Sequence, residues 1–137
     1  MNELYAYIIE NILRFYKEPF SSDLYNESLY GTIGLITIIS ALLFNLTFYY
    51  LINRPSFSKW FHWMFVGVLH LLVCFFSSYF IPKDAFDALF AGNDPYSSTD
   101  YLGFSLVNTA SALSFYILWM LVVRWKSSNA KTTPFPH

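Results

Sequence analysis

Three stretches of this chain, residues 30–52, 61–81 and 101–123, run for 23, 21 and 23 residues without an Asp, Glu, Lys or Arg. At about 1.5 Å per residue, a helix of that length crosses a hydrocarbon core of roughly 30 Å. A helix of a soluble domain must return a polar face to water every turn, and none of the three supplies a charged one. Charged residues make up 12% of the chain, against about 25% in soluble domains. The chain therefore reads as an all-α integral membrane protein of one domain, with three transmembrane helices preceded by an amphipathic interfacial helix.

The boundaries follow from breakers and charges. Residues 1–29 form the amphipathic helix and a polar connector. Residues 30–125 form the membrane domain, with spans near 30–52, 60–81 and 101–124 and a loop over 82–100. Residues 126–137 form a flexible basic tail, rich in Ser, Thr, Pro and Lys. Over 3–17, Leu4, Tyr5, Ile8, Ile9, Ile12, Leu13, Phe15 and Tyr16 share one helical side, opposite Glu3, Glu10, Asn11, Arg14, Lys17 and Glu18. Such a helix lies on lipid or packs against a neighbouring subunit, and Pro19 should stop it. Pro55 and Pro82 should close the first and second spans. In the loop, Asp84 and Gly92 read as N-cap and C′ residue of a small separate helix, followed by a turn at Asn93-Asp94-Pro95.

The net charge of −1 conceals a division by sign. Residues 1–28 hold Glu3, Glu10, Glu18, Asp23 and Glu27 against Arg14 and Lys17, and the 82–100 loop holds Asp84, Asp87, Asp94 and Asp100 against Lys83. Arg54 and Lys59 in the first link, and Arg124, Lys126 and Lys131 in the tail, have no acidic neighbours. Three crossings put both basic regions on one side, so the positive-inside rule places them in the cytoplasm, with the N-terminus outside and a bacterial inner membrane as the expected location. Trp60, Trp63, Trp119 and Trp125 fall near the inner ends as interface anchors, while Tyr30, Tyr79 and Tyr101 fall near the outer ends.

Each span carries a seam of small and polar residues: Gly34, Ala41 and Asn45; Gly67, His70, Cys74 and Ser77 or Ser78; and Ser105, Asn108, Thr109 and Ala112. Gly34, Ala41, Gly67, Ser105 and Thr109 are the candidate packing positions, where small residues bring helices close and hydroxyls bond across the contact. Asn45, His70, Cys74 and Asn108 are the candidate intramembrane polar or pathway residues. His70 falls near mid-membrane, with Asn45 and Asn108 about 6 Å to either side. An ionisable residue at that depth raises a functional question, although a neutral histidine satisfied by Asn or Ser on a neighbouring helix is the favoured reading.

His62-Trp63, followed eight residues later by His70, resembles the opening helix of small membrane b-type cytochromes over roughly fifteen residues. That resemblance implies haem b as cofactor. Histidines eight apart stand about 12 Å apart along a helix, so a bis-His site would need its second ligand from elsewhere, and His137 in the tail is the remaining histidine.

Catalytic sets are not evident. The spans contain no carboxylate, no Ser-His-Asp or Cys-His set stands out, and the loop acids lack calcium-loop spacing. No metal site is expected, and the one cysteine allows no intrachain disulfide. There is no nucleic-acid motif. The expected role is a non-enzymatic membrane subunit that assembles with itself or with protein partners in the lipid bilayer. The alternatives are a pore-forming oligomer lined by Asn45, His70 and Asn108, and a haem- or quinone-binding anchor of a redox complex.

Overall fold

The computed structural model describes residues 1–128 and Thr133. Among them lie three helices long and apolar enough to cross a membrane, Leu29–Ile52, Trp60–Leu89 and Ser98–Lys126. We name the helices α1 (Asn2–Tyr7, continued by one π-type turn over Ile8–Ile12), α2 (Phe20–Asn26), α3 (Leu29–Leu46, continued by a π-type turn over Thr47–Ile52), α4 (Trp60–Leu89) and α5 (Ser98–Val123). A 3-10 turn over Pro55–Phe57 joins α3 to α4, and another over Arg124–Lys126 ends α5. The chain is thus an all-α multi-pass membrane protein. The α3, α4 and α5 helices all pack on one another, and α1 packs chiefly on α3. We call the end that holds residues 1–28 the crown, and the end that holds Arg54, Lys59, Arg124 and Lys126 the basic end.

The crown departs from the expected interfacial helix. The α1 helix and its π turn finish at Ile12, and Arg14 adopts a left-handed backbone with φ 57°, well short of Pro19. The break lets Phe15 turn down onto Gly103, where its Cε2 would lie 3.1 Å from an added Cβ. The Phe15 ring meets that of Phe104 at 6.0 Å. The apolar side of α1 is divided between the chain's own bundle and the surface. Tyr5 and Ile9 are wholly buried against the chain's own bundle, while Leu4 and Ile12, assigned to the same side, are exposed.

The expected polar connector also folds. Phe20 and Leu24 of α2 are buried. Phe20 meets Tyr96 edge-on at 5.1 Å, Tyr101 at 5.4 Å and Phe86 at 5.8 Å, the edge-to-face geometry that aromatic pairs favour. This aromatic cluster seals the crown. It also buries Tyr30 and Tyr101, which therefore do not form an outward-facing belt.

Pro82 does not end the second span. The α4 helix runs through it for 30 residues, with Pro82 inside. Proline removes one backbone donor, and membrane helices tolerate that when packing holds the turn. Here Phe86, one turn beyond, is fully buried in the crown. Asp84 is therefore mid-helix and not an N-cap. The helix closes with Ala91 in the C′ position at φ 51°, and Gly92 at φ 82° donates to the Asp87 carbonyl at 2.8 Å, a Schellman arrangement. The glycine was expected one residue too early in that motif.

The α5 helix starts with a capping box. The Ser97 N–H and hydroxyl each donate to Asp100 Oδ2 at 2.9 Å, and Lys17 pairs with the other carboxylate oxygen. At the basic end, Trp60 and Trp125 are exposed, whereas Trp63 and Trp119 are half-buried against the core around Phe48, Tyr49 and Met120. Of the tail, Thr133 is buried, accepting from the Tyr49 hydroxyl at 2.9 Å and donating to the Ser58 carbonyl. Lys131 and His137 lie outside the described residues.

Candidate functional site

The polar residues of the three spans meet in one column along the bundle axis. Gly34 of α3 has no side chain, and the Tyr5 ring occupies the space, its Cγ 2.6 Å from where a Cβ would sit. Tyr5 thereby enters from the crown and donates its hydroxyl proton to Asn108 Oδ1 at 2.5 Å, with Ser111 Oγ at 3.3 Å. Asn108 spends its amide on the Cys74 carbonyl at 3.3 Å and on Thr37 Oγ1 at 3.4 Å. One asparagine thus ties α5 to α3, to α4 and, through Tyr5, to α1.

Below this layer Cys74 Sγ lies 3.5 Å from Ser40 Oγ and 3.3 Å from His70 Nε2. The His70 ring stacks on Tyr116 at 5.4 Å and leans on Phe44 at 5.6 Å. Gly67 admits Tyr116, whose Cε1 would lie 3.0 Å from an added Cβ. The Tyr116 hydroxyl donates to the Trp63 carbonyl at 3.1 Å. Lower still, Asn45 Nδ2 donates to the Ala41 carbonyl at 2.8 Å and, across the bundle, to the Tyr116 carbonyl at 3.1 Å.

Every sequence candidate in the pathway set, Asn45, His70, Cys74 and Asn108, is wholly buried inside a single chain. None of the four faces outward, where copies of the chain would meet. Gly34 and Gly67 sit at close contacts, with Tyr5 and Tyr116, and Ala41 is wholly buried. Ser105 and Thr109 behave differently from expectation: each hydroxyl donates to its own helix, to the Tyr101 and Ser105 carbonyls at 2.7 Å. A hydroxyl that can reach the carbonyl four residues back has little need of a neighbouring helix.

His70 and Cys74 form a Cys–His contact that was not evident as such in the sequence, though i, i+4 spacing on a helix brings side chains together. Both groups are sealed from solvent, and no carboxylate lies among their partners, so the pair lacks the orienting third group of a nucleophilic site. Among the described residues no group of three His, Cys, Asp or Glu is placed to hold a metal ion. His62 stacks on Phe57 at 4.0 Å at the basic end, remote from the His70–Tyr116 stack. The described histidines therefore offer no bis-His haem pair.

Sequence reasoning missed Thr37, Ser40, Ser111, Tyr116 and Tyr5. Thr37 was detectable, because it falls between Gly34 and Ala41 at spacings of three and four. Ser111 follows Asn108 by three, and Tyr116 follows Ala112 by four. Tyr5 carried no comparable signal, since its partners lie more than a hundred positions away. No known family matches this chain, and no curated protein or solved structure is similar to it.

Proposed function

We propose that this protein is a non-catalytic integral membrane subunit, a self-contained three-helix module that joins a larger or homo-oligomeric complex through its lipid-facing sides. The observation that carries this reading is the closure of the polar column by the chain's own N-terminal segment. Tyr5, Asn108 and Cys74 are joined by hydrogen bonds within one chain, and Cys74 Sγ meets His70 Nε2, while His70 Nδ1 and Asn45 Oδ1 have no partner among the described residues; most of the intramembrane polar groups thus act as structural glue. The outward surfaces are apolar. One shallow groove runs along Ile38, Phe115, Leu118, Trp119 and Val122, between α3 and α5. A groove of that kind suits contact with an apolar helix of another subunit.

The orientation we propose follows the charges. The crown faces the outside, and the basic end, with Arg54, Lys59, Arg124 and Lys126, faces the cytoplasm of a bacterial inner membrane. Native mass spectrometry of complexes released from membranes tests the assembly reading. The expected result is a defined multimer or a stoichiometric complex with larger proteins. A stable monomer in mild detergent that also crosslinks to nothing in intact membranes would overturn it.

A further inference from the structure

The crown carries a polar pocket that the bundle does not use. Its volume is about 240 Å³, and Glu10, Tyr16, Ser21, Ser22, Tyr25 and Asn26 line it. Glu10 comes from the π turn after α1, while Ser21 to Asn26 come from α2, so the pocket lies between the two short helices.

Two observations mark it as more than a surface dent. Glu10 is half-buried, yet its carboxylate has no cationic partner among the described residues, where the ion pairs join Lys17 to Asp100 and Lys83 to Asp87. A ligand bearing a positive charge and N–H groups would give the Glu10 carboxylate the cationic partner it lacks. The remaining walls include the rings of Tyr16 and Tyr25. Aromatic faces attract organic cations.

We propose that this pocket binds an organic ammonium group, with Glu10 as counter-ion and Tyr16 and Tyr25 as aromatic walls. A neutral polyol would leave the Glu10 charge uncompensated. A bound calcium ion needs about six to eight oxygen ligands, and the pocket offers a single carboxylate. Tyr25 and Asn26 precede the start of α3 at Leu29 by only a few residues, which sets the pocket at headgroup level. The ammonium can therefore belong to an ethanolamine or choline headgroup, or to a free amine in the water phase.

Two arms separate these sources. The full chain in detergent is titrated with tetramethylammonium and with ethanolamine against sodium chloride of matched ionic strength, reading Tm. In parallel, the chain in nanodiscs of phosphatidylglycerol, with or without phosphatidylethanolamine, is assayed for retained lipid by native mass spectrometry. Saturable binding in at least one arm is expected, weakened about tenfold or more by Glu10→Gln and also by Tyr25→Leu. A response to free amine alone assigns a soluble ligand, and retention of phosphatidylethanolamine alone assigns a headgroup. Because Glu10→Gln keeps the side-chain shape, its Tm without ligand should match the parent. No binding in either arm, or equal binding by Glu10→Gln, would overturn the proposal.

Discussion

The Tyr5 hydroxyl donates to Asn108 Oδ1 at 2.5 Å, across 103 positions of sequence. This bond joins the first helix of the chain to the middle of the last. It makes the N-terminal segment part of the membrane bundle, filling the space that Gly34 leaves open. The crown is then closed over it by the Phe20 cluster.

Tyr5→Phe removes the bond and keeps the ring. The expected loss is about 0.5–1.5 kcal/mol, because hydrogen bonds inside membrane proteins are modest in net worth. Tyr5→Ala also empties the space over Gly34 and should cost about 3–5 kcal/mol. Unfolding in mixed micelles measures both. Equal losses for the two variants would mean that the ring contributes nothing beyond its hydroxyl.

How much of this was legible in the sequence depends on the range of the contact. The spans were readable because lipid demands long uncharged helices, a constraint that acts residue by residue. The inward set Gly34, Ala41, Asn45, His70 and Asn108 was readable because helical period alone puts these residues on shared faces. The crown was not. Its amphipathic pattern named an apolar side but not the surface that would cover it, and lipid and the chain's own bundle are equally apolar. Pro82 misled for a related reason. A proline ends a helix only when tertiary packing does not hold the next turn, and Phe86 holds it here.

Gly34→Ala places a Cβ 2.6 Å from Tyr5 Cγ, a distance that forces the ring or the helix to move. The expected cost is about 1–3 kcal/mol. In a Tyr5→Ala background the obstacle is gone, so the same substitution should cost less, with a coupling of about 1 kcal/mol or more. Additive losses would show that Gly34 and Tyr5 do not interact.

Cys74 gives a direct reading of the same closure, since it is the single thiol of the chain and is wholly buried. The parent protein should resist small thiol reagents under native conditions. Tyr5→Ala and Gly34→Ala should speed modification by about tenfold or more, because an opening cost lowered by 1.4 kcal/mol raises the open population tenfold. Rates equal to the parent would show that Cys74 is reached by a route independent of the N-terminal segment.

Lys17 and Asp100 tie the crown to the start of α5, but their two substitutions should differ. Lys17 is largely exposed, with 57% of its side chain accessible, so Lys17→Met should cost less than about 1 kcal/mol and vanish in high salt. Asp100 is 9% accessible and also accepts from the Ser97 N–H and hydroxyl. Asp100→Ala loses the capping box as well, about 0.5–2 kcal/mol that salt does not recover. Thermal unfolding of both variants at low and high salt separates the contributions. Equal and fully salt-sensitive effects would mean that the capping box is without weight.

The crown should loosen at alkaline pH, and Tyr96 supplies part of the reason. Burial raises its phenol above the ordinary value of 10.0, reinforced by its hydrogen bond to Asp23 and by the charges of Asp23, Asp94 and Asp100. A phenol whose pKa is raised on folding is held in its protonated form. Its contribution is fully present below pH 10 and is lost as the pH climbs from there through the folded value. Ionisation would set a phenolate against the Asp23 carboxylate, in the ring cluster around Phe20. Tm should therefore fall more steeply above pH 10 in the parent than in Tyr96→Phe, which keeps the ring contacts and removes the titrating group. Tyr16 is also raised, so the variant should show a reduced slope and not a flat one. Identical slopes for the two proteins would show that the Tyr96–Asp23 bond has no part in the alkaline transition.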